Sequence, residues 1–331
     1  MRPPHFWSAG LDPGSREAAP LVRLLLTPFA SLYAWASARR IAKASPEKVA
    51  IPVICIGNIT SGGSGKTPIV KALREALTAK GYKAASLSRG YGGRLKGPLL
   101  VEPNTHTARD VGDEPLMLAH SGESWIGADR VSAAREMATA GIDVILMDDG
   151  HQNPSLYKDM SLLVLDAGAP FGNGHVLPKG PLREPIAASL KRADGVILMG
   201  DGPVPQIVTV SKLPVLRAHL ESLAPPPPGP LIAFAGIGRP QRFFDKLEQA
   251  GGDVMDTLSF ADHHTYSDRE LQRLHEVAKV HSAQLVTTEK DYMRLAPAQR
   301  EGIHAIRVRT VFDGEADLLA RILPILEGER E

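Results

Sequence analysis

Between Ile51 and Leu77 the chain reads IPVICIGNITSGGSGKTPIVKALREAL. An apolar run, Val53 to Ile56, breaks into Thr60-Ser61-Gly62-Gly63-Ser64-Gly65-Lys66-Thr67, and an amphipathic pattern follows. Strand, glycine-rich loop and helix in this order form the layout of a phosphate-binding P-loop. Glycines let the loop curl so that successive N–H groups point into one hollow, and the helix N-terminus adds partial positive charge. Lys66 would reach β- and γ-phosphates, Thr67 would offer its hydroxyl to Mg²⁺, and Pro68 suits a first helical turn. The general pattern G-x-x-x-x-G-K-[ST] has glycine where this chain has Thr60. An ordinary Gly/Ser loop would share the composition. Here, though, Gly-Lys-Thr falls where a strand should end and a helix begin, which favours nucleotide phosphate.

The expected fold is α/β: a P-loop NTPase-type, mostly parallel sheet flanked by helices, with a second, smaller α/β domain. The 331 residues suit one large or two medium domains, and 43% hydrophobic residues suffice for packed cores. A net charge of +1 gives no nucleic-acid signature. The single cysteine, Cys55, lies inside the first apolar strand, which reads as a buried structural thiol and excludes a disulfide framework. No secretory signal pattern is visible.

Residues 21–43 are dominated by apolar and aromatic side chains and close with Arg39, Arg40 and Lys43. Thr27-Pro28 resembles an N-cap followed by a first-turn proline, so two helical pieces are expected to meet there. One helix over 21–38 would span about 27 Å, short of the roughly 30 Å hydrocarbon core. Two readings stay open: a helix packed on the domain, or an interfacial anchor with Tyr33 and Trp35 at head-group level and the basic tail on anionic lipid. The expected domains are an apolar/basic segment over 1–45, a P-loop core over 46–215, a Pro-rich linker over 216–230 and a smaller α/β domain over 231–331. The last helix is the one piece expected to be free to pack back on the core.

Further along, a second strand, Ala84–Ser88, runs into Arg89-Gly90-Tyr91-Gly92-Gly93-Arg94, at the sheet edge where open α/β folds bind ligands. Asp110 and Asp113-Glu114-Pro115 precede an expected helix over Leu116–His120, where acids cap free N–H groups, yet a carboxylate there can also take a proton from an attacking hydroxyl. The strand Val144–Met147 ends in Asp148-Asp149-Gly150-His151-Gln152, a Walker B arrangement. Asp166 and Asp201 also end apolar runs, but only the first pair has two adjacent carboxylates, which calls for a cation. Asn173 to Pro185 is a loop stiffened by glycine and proline that carries Lys179, Arg183 and Glu184. In the second domain, Phe260-Ala261-Asp262-His263-His264 lacks zinc-ligand spacing, and a histidine orienting a carboxylate is the sharper reading. Glu289-Lys290-Asp291 lacks the guanine-reading spacing, which favours adenine.

Taken together these stretches resemble the tetraacyldisaccharide 4′-kinases of lipid A biosynthesis. The resemblance is carried by Gly57-Asn58-Ile59-Thr60 through Gly65-Lys66-Thr67-Pro68, Ser88-Arg89-Gly90-Tyr91-Gly92, Gly112-Asp113-Glu114-Pro115 and Asp148-Asp149-Gly150-His151-Gln152. Leu177-Pro178-Lys179-Gly180-Pro181-Leu182-Arg183-Glu184, Phe260-Ala261-Asp262-His263 and Thr288-Glu289-Lys290-Asp291 complete it, in family order over nearly the whole chain. Thr60 fits that family's own form of the loop. The resemblance implies transfer of the γ-phosphoryl of ATP, with Mg²⁺, to the 4′-hydroxyl of a tetraacylated glucosamine disaccharide 1-phosphate. It implies Asp113 as base paired with His263, and Lys66 as a catalytic cation. Thr67, Asp148, Asp149 and Glu184 would lie around the metal, and Arg89, Tyr91 and Arg130 around the acceptor. It also implies attachment through the N-terminal segment to the anionic cytoplasmic face of the bacterial inner membrane. The competing reading is a P-loop nucleotide switch or metallochaperone acting on a protein partner.

Overall fold

The computed structural model describes residues 4–12 and 14–328; residues 1–3 and 13 of the expected N-terminal segment, and 329–331 of the second domain, lie outside them. Strands β1 (Val53–Asn58), β2 (Ala84–Ser88), β3 (Leu99–Leu100), β4 (Ser124–Ile126), β5 (Val144–Asp148), β6 (Met160–Asp166), β7 (Gly195–Met199) and β8 (Val215–Ser222) precede a second unit. That unit holds β9 (Pro230–Ala235), β10 (Asp253–Ser259), β11 (Gln284–Thr288) and β12 (Ile303–Ile306), and β13 (Val308–Asp313) follows it. Helices are α1 (Pro20–Lys43), α2 (Lys66–Ala79), α3 (Ala108–Val111), α4 (Asp113–Ala119), α5 (Arg130–Thr139), α6 (Ile186–Leu190), α7 (Gln206–Ser211), α8 (Pro240–Gln249), α9 (Asp268–Val280), α10 (Glu289–Arg294) and α11 (Glu315–Glu327).

The large sheet runs β13-β8-β7-β6-β1-β5-β2-β4-β3, parallel except at its two edge pairs, β8/β13 and β3/β4. All six residues of β1 are buried, and they alternate between two cores. Ile54 and Ile56 join Ile69, Leu73 and Leu77 of α2 with Leu319 and Ile322 of α11; Val53 and Cys55 join Ala133 and Met137 of α5 on the other face. A strand covered by helices on both faces has to read as an unbroken apolar run, which is what the sequence shows. Burial pushes the Cys55 thiol up to about 11, so it stays a packed, unreactive group.

From β5 the chain crosses back over β1 to form β6, so β1 lies between two strands that both end in acid. This reversal of strand order opens a crevice at the carboxyl end of β1, where the glycine loop begins. The smaller sheet, β10-β9-β11-β12, is wholly parallel and repeats the device with β9 at its reversal.

Two boundaries differ from the sequence reading. Residues 216–222 are not linker but most of β8, and 308–327 return to the large sheet as β13 and α11. The smaller unit therefore hangs from an antiparallel two-strand stem, and only 223–229 remains as the proline-rich connection. The third difference is α1, one unbroken helix through Pro28. Thr27 is no N-cap; its hydroxyl donates back to the Arg23 carbonyl. Only Ala30 and Ser37 of α1 are buried, while Leu21, Leu24, Leu25, Phe29, Leu32 and Trp35 are exposed, so the helix lies against the domain by one narrow side and leaves most of its apolar surface open. It is long and apolar enough to cross a membrane, by length and composition.

Candidate active site

The glycine loop is braced from outside. Thr60 pairs with Leu182, Ser61 N–H donates to the Pro181 carbonyl (2.7 Å), and Arg183 N–H donates to the Ile59 carbonyl. Thr60 thus sits in an extended pairing rather than a left-handed turn, which is why it replaces glycine without strain. The left-handed turn comes at Gly65 (φ +84°), directly before α2. Lys66 and Thr67 open α2 and are buried. The Lys66 ammonium lies 3.6 Å from Asp149, and the Thr67 hydroxyl donates to Asp148 Oδ2 at 3.1 Å.

Asp148, the last residue of β5, is 2% exposed, and its Oδ1 has no hydrogen-bond partner. Burial, with Glu114 and Asp149 nearby, pushes its pKa up to about 7 against Lys66 and the Thr67 hydroxyl. An orphaned carboxylate oxygen beside a threonine hydroxyl fits a divalent cation. Asp149 faces elsewhere: Arg183 donates to both its oxygens, at 2.8 and 2.9 Å. Burial opposes its charge, yet Lys66 and Arg183 hold it well below the usual carboxylate range. Glu184, expected near the metal, is bound instead by Arg192 (2.6 Å) and Gln152 (2.9 Å). Among the described residues these carboxylates do not form a three-ligand cluster. His151 is likewise structural, contacting Ser161 and the Ser189 carbonyl.

The smaller unit closes over this edge. Gly238 comes so near the glycine loop that a side-chain carbon on it would lie 3.0 Å from Gly63 N. Asp113, opening α4, is 6% exposed; its Oδ1 accepts from Glu114 N–H. Its Oδ2 takes three groups from the smaller unit: His263 Nδ1 at 3.0 Å, Arg294 Nε at 2.7 Å and Arg294 Nη2 at 2.6 Å. Lys290 stands 3.9 Å away and pairs with Glu114 at 2.8 Å. Burial opposes the charge on Asp113, but His263, Lys290 and Arg294 together hold its carboxyl well below the ordinary range. Asp113 is thus a first-turn residue of α4, whose N-cap is Gly112, and its carboxylate is ion-paired across the cleft. Tyr91, 69% exposed, stands edge-on to His263 with ring centroids 5.7 Å apart, and Arg89, directly after β2, is exposed. Arg130 is 4% exposed and donates to the Gly127 carbonyl; burial first, then the neighbouring Arg89, lowers its pKa to about 10 against Asp149 and Asp148.

Two contributors were not singled out from sequence. Arg294 lies one helical turn beyond Asp291 on α10, and the fully buried Asp291 fixes it at 2.6 Å. Asp291 is in turn held by Gly236 N–H, Tyr266 Oη and Thr288 Oγ1. Asp166, weighed only as a rival metal ligand, is gripped by Arg239 and Arg242 of the smaller unit. Its signal was the acid at a strand end; its partners were too distant in sequence to show.

A parallel sheet with a phosphate loop at its reversal point, an orphaned acid beside the loop and a carboxylate–imidazole pair across a cleft define a P-loop kinase. The chain belongs to the tetraacyldisaccharide-1-P 4′-kinase (LpxK) family, which matches residues 22–327. It is 62% identical over 327 residues to the tetraacyldisaccharide 4′-kinase of Hyphomonas neptunium, covering 99% of this chain and 98% of that one. Against the tetraacyldisaccharide 4′-kinase of Caulobacter vibrioides it is 49% identical over 316 residues, covering 92% and 94%. It also superposes on the crystal structure of the "apo" form LpxK from Aquifex aeolicus in complex with ATP. There the TM-score is 0.74 at 28% identity, covering 92% of this chain and 99% of that one.

Proposed function

We propose that the protein transfers the γ-phosphoryl group of ATP to the 4′-hydroxyl of a tetraacylated glucosamine disaccharide 1-phosphate. The observation that carries this reading is the Asp113–His263 pair, assembled from two units beside the glycine loop. Asp113 Oδ2 is saturated by His263 and Arg294, but Oδ1 accepts only a backbone N–H. The incoming hydroxyl therefore donates to Oδ1, and its proton passes there as the oxygen attacks. A carboxylate held so far below its usual pKa is a weak base, so proton transfer comes late; positioning and charge neutralisation supply most of the acceleration. The glycine loop's N–H groups and Lys66 take the phosphate oxygens. Thr67 and Asp148 would hold Mg²⁺, which supplies neutralisation of β- and γ-phosphate charge; Asp149 and Glu184 are committed to arginines. Arg89 and Tyr91 flank the acceptor's entry.

The base is complete only when the two units meet, which limits wasteful hydrolysis by water. The acceptor stays in a bilayer, so the exposed apolar face of α1 and Arg39, Arg40 and Lys43 bring the enzyme to an anionic surface, the cytoplasmic face of the inner membrane, as a peripheral or monotopic protein. The test is incubation with ATP, Mg²⁺ and the disaccharide. A new phosphomonoester at the 4′ position, formed in equal amount to ADP, is expected; ADP release without a phosphorylated lipid overturns the reading.

A further inference from the structure

The stiff loop 173–185 touches α1 as well as the phosphate cradle. At its near end, Arg23 of α1 donates from Nη2 to His175 Nε2 at 2.8 Å, and Lys179 Nζ donates to the Thr27 hydroxyl at 3.0 Å. Asn173 and Pro178 also hold the segment before α1, through the Phe6 carbonyl and Trp7 Nε1. Arg23, Thr27, Ala30 and Ser37 recur at helical spacing along the protein-facing side of α1, so the cluster lies where that side ends. Next to it are Leu21, Leu24 and Leu25, all exposed.

The charge here is uncompensated. Among the described residues, Arg23 and Lys179 have no carboxylate within ion-pair distance, and Arg23 Nε is buried without a hydrogen-bond partner. Burial first, then Lys179 and Arg23, press the His175 pKa down, as expected where no anion offsets the two cations. A guanidinium and an ammonium, one donor idle, converging beside a lipid-facing helix match a phosphate carried on a lipid. We infer that Arg23, His175 and Lys179 form a seat for a lipid-borne phosphate, where α1 meets the loop that braces the phosphate cradle. The far end of that loop supplies Pro181 to Ser61 and Arg183 to Asp149, so an occupied seat steadies the cradle as well as the lipid. Two sources share this chemistry: the acceptor's own 1-phosphate, which rests on the function proposed above, and the headgroup of an anionic phospholipid, which does not.

The experiment compares wild type with the double variant Arg23→Gln/Lys179→Gln in two arms. In neutral detergent micelles, the disaccharide is presented with and without its 1-phosphate. If the acceptor fills the seat, KM for the phosphate-bearing form rises roughly tenfold in the variant, while KM for the phosphate-free form and for ATP stays put. In flotation without acceptor, if the bilayer fills it, the variant loses binding to phosphatidylglycerol vesicles and matches wild type on phosphatidylcholine. Either result supports the seat. Unchanged behaviour in both arms overturns it, as does an equal loss on phosphate-free acceptor and neutral vesicles. Should the double variant not fold, Lys179→Gln is read in the same assays, and no shift in either arm is again fatal. Failure of wild type to phosphorylate any acceptor would count against the proposed function and leave the flotation arm standing.

Discussion

Arg294 reaches from the smaller unit to Asp113 on the larger one, Nη2 to Oδ2, at 2.6 Å, with both side chains almost wholly buried. Asp291 behind it fixes the guanidinium, so the same contact that orients Asp113 also closes the cleft. Removing one partner of a buried ion pair leaves the other charge uncompensated.

Arg294→Met is therefore expected to lower kcat by roughly ten- to hundredfold, through misplacement of Asp113. The folded-state pKa of Asp113 is depressed, so its contribution is present at neutral pH and is lost only as pH falls through that depressed value. Without Arg294 the pKa moves back towards ordinary, and the acid limb of kcat/KM against pH shifts to higher pH. A profile taken down to about pH 3 reads this as a falling acid side in the variant where wild type stays level; a level acid side in both would assign Arg294 to the fold alone. Arg294→Lys should restore part of both.

Asp166 supplies a second bolt between the units, gripped by Arg239 and Arg242. These arginines are partly exposed, so the bond is worth less than a fully buried one. Asp166→Asn should leave the melting temperature nearly unchanged and lower kcat by roughly three- to tenfold. Small-angle scattering of the variant with nucleotide should show a more open particle; a compact particle with normal kcat would remove Asp166 from closure.

Asp148→Asn leaves the packing of β5 in place but takes the charge from the oxygen left without a partner. Turnover is expected to fall by at least about a hundredfold, and more Mg²⁺ should be needed for half-maximal rate. Titration of activity with Mg²⁺ checks this. Glu184→Gln breaks an arginine clamp rather than a metal contact, so it should lower stability without changing the Mg²⁺ requirement.

Leu25, Phe29 and Leu32 are each more than 60% exposed on α1. Replacing all three with glutamine removes apolar area that only a lipid or partner surface can cover. Flotation with anionic vesicles should drop severalfold, while ATP binding by calorimetry stays the same. Unaltered flotation would separate α1 from membrane attachment.

Much of the site was legible because its chemistry is written in short local patterns. The glycine loop and the acidic strand end after Met147 need only adjacent residues and lie where expected; the helix expected from Leu116 begins instead at Asp113, because Asp113, Glu114 and Pro115 form its first turn. What stayed hidden depends on pairing across long separations. Strand β8 mixes Arg217, His219 and Glu221 into its run and is followed by prolines, so it reads as linker until β13, about ninety residues later, pairs with it. Arg294 has no local reason to be special; only folding sets it against Asp113. Glu184, which the resemblance sets around the metal, is committed to Arg192, a pairing no local pattern announces; Arg130 is buried against the Gly127 carbonyl beside Arg89, Asp149 and Asp148.

The central claim is that Asp113, completed by His263 across the cleft, takes the proton of the acceptor alcohol. Its most direct test is single-turnover phosphoryl transfer by Asp113→Ala, with nucleotide binding measured on the same preparation. The account predicts ATP affinity within about twofold of wild type and transfer slowed by roughly a hundredfold or more. Near-normal transfer by that variant would contradict it.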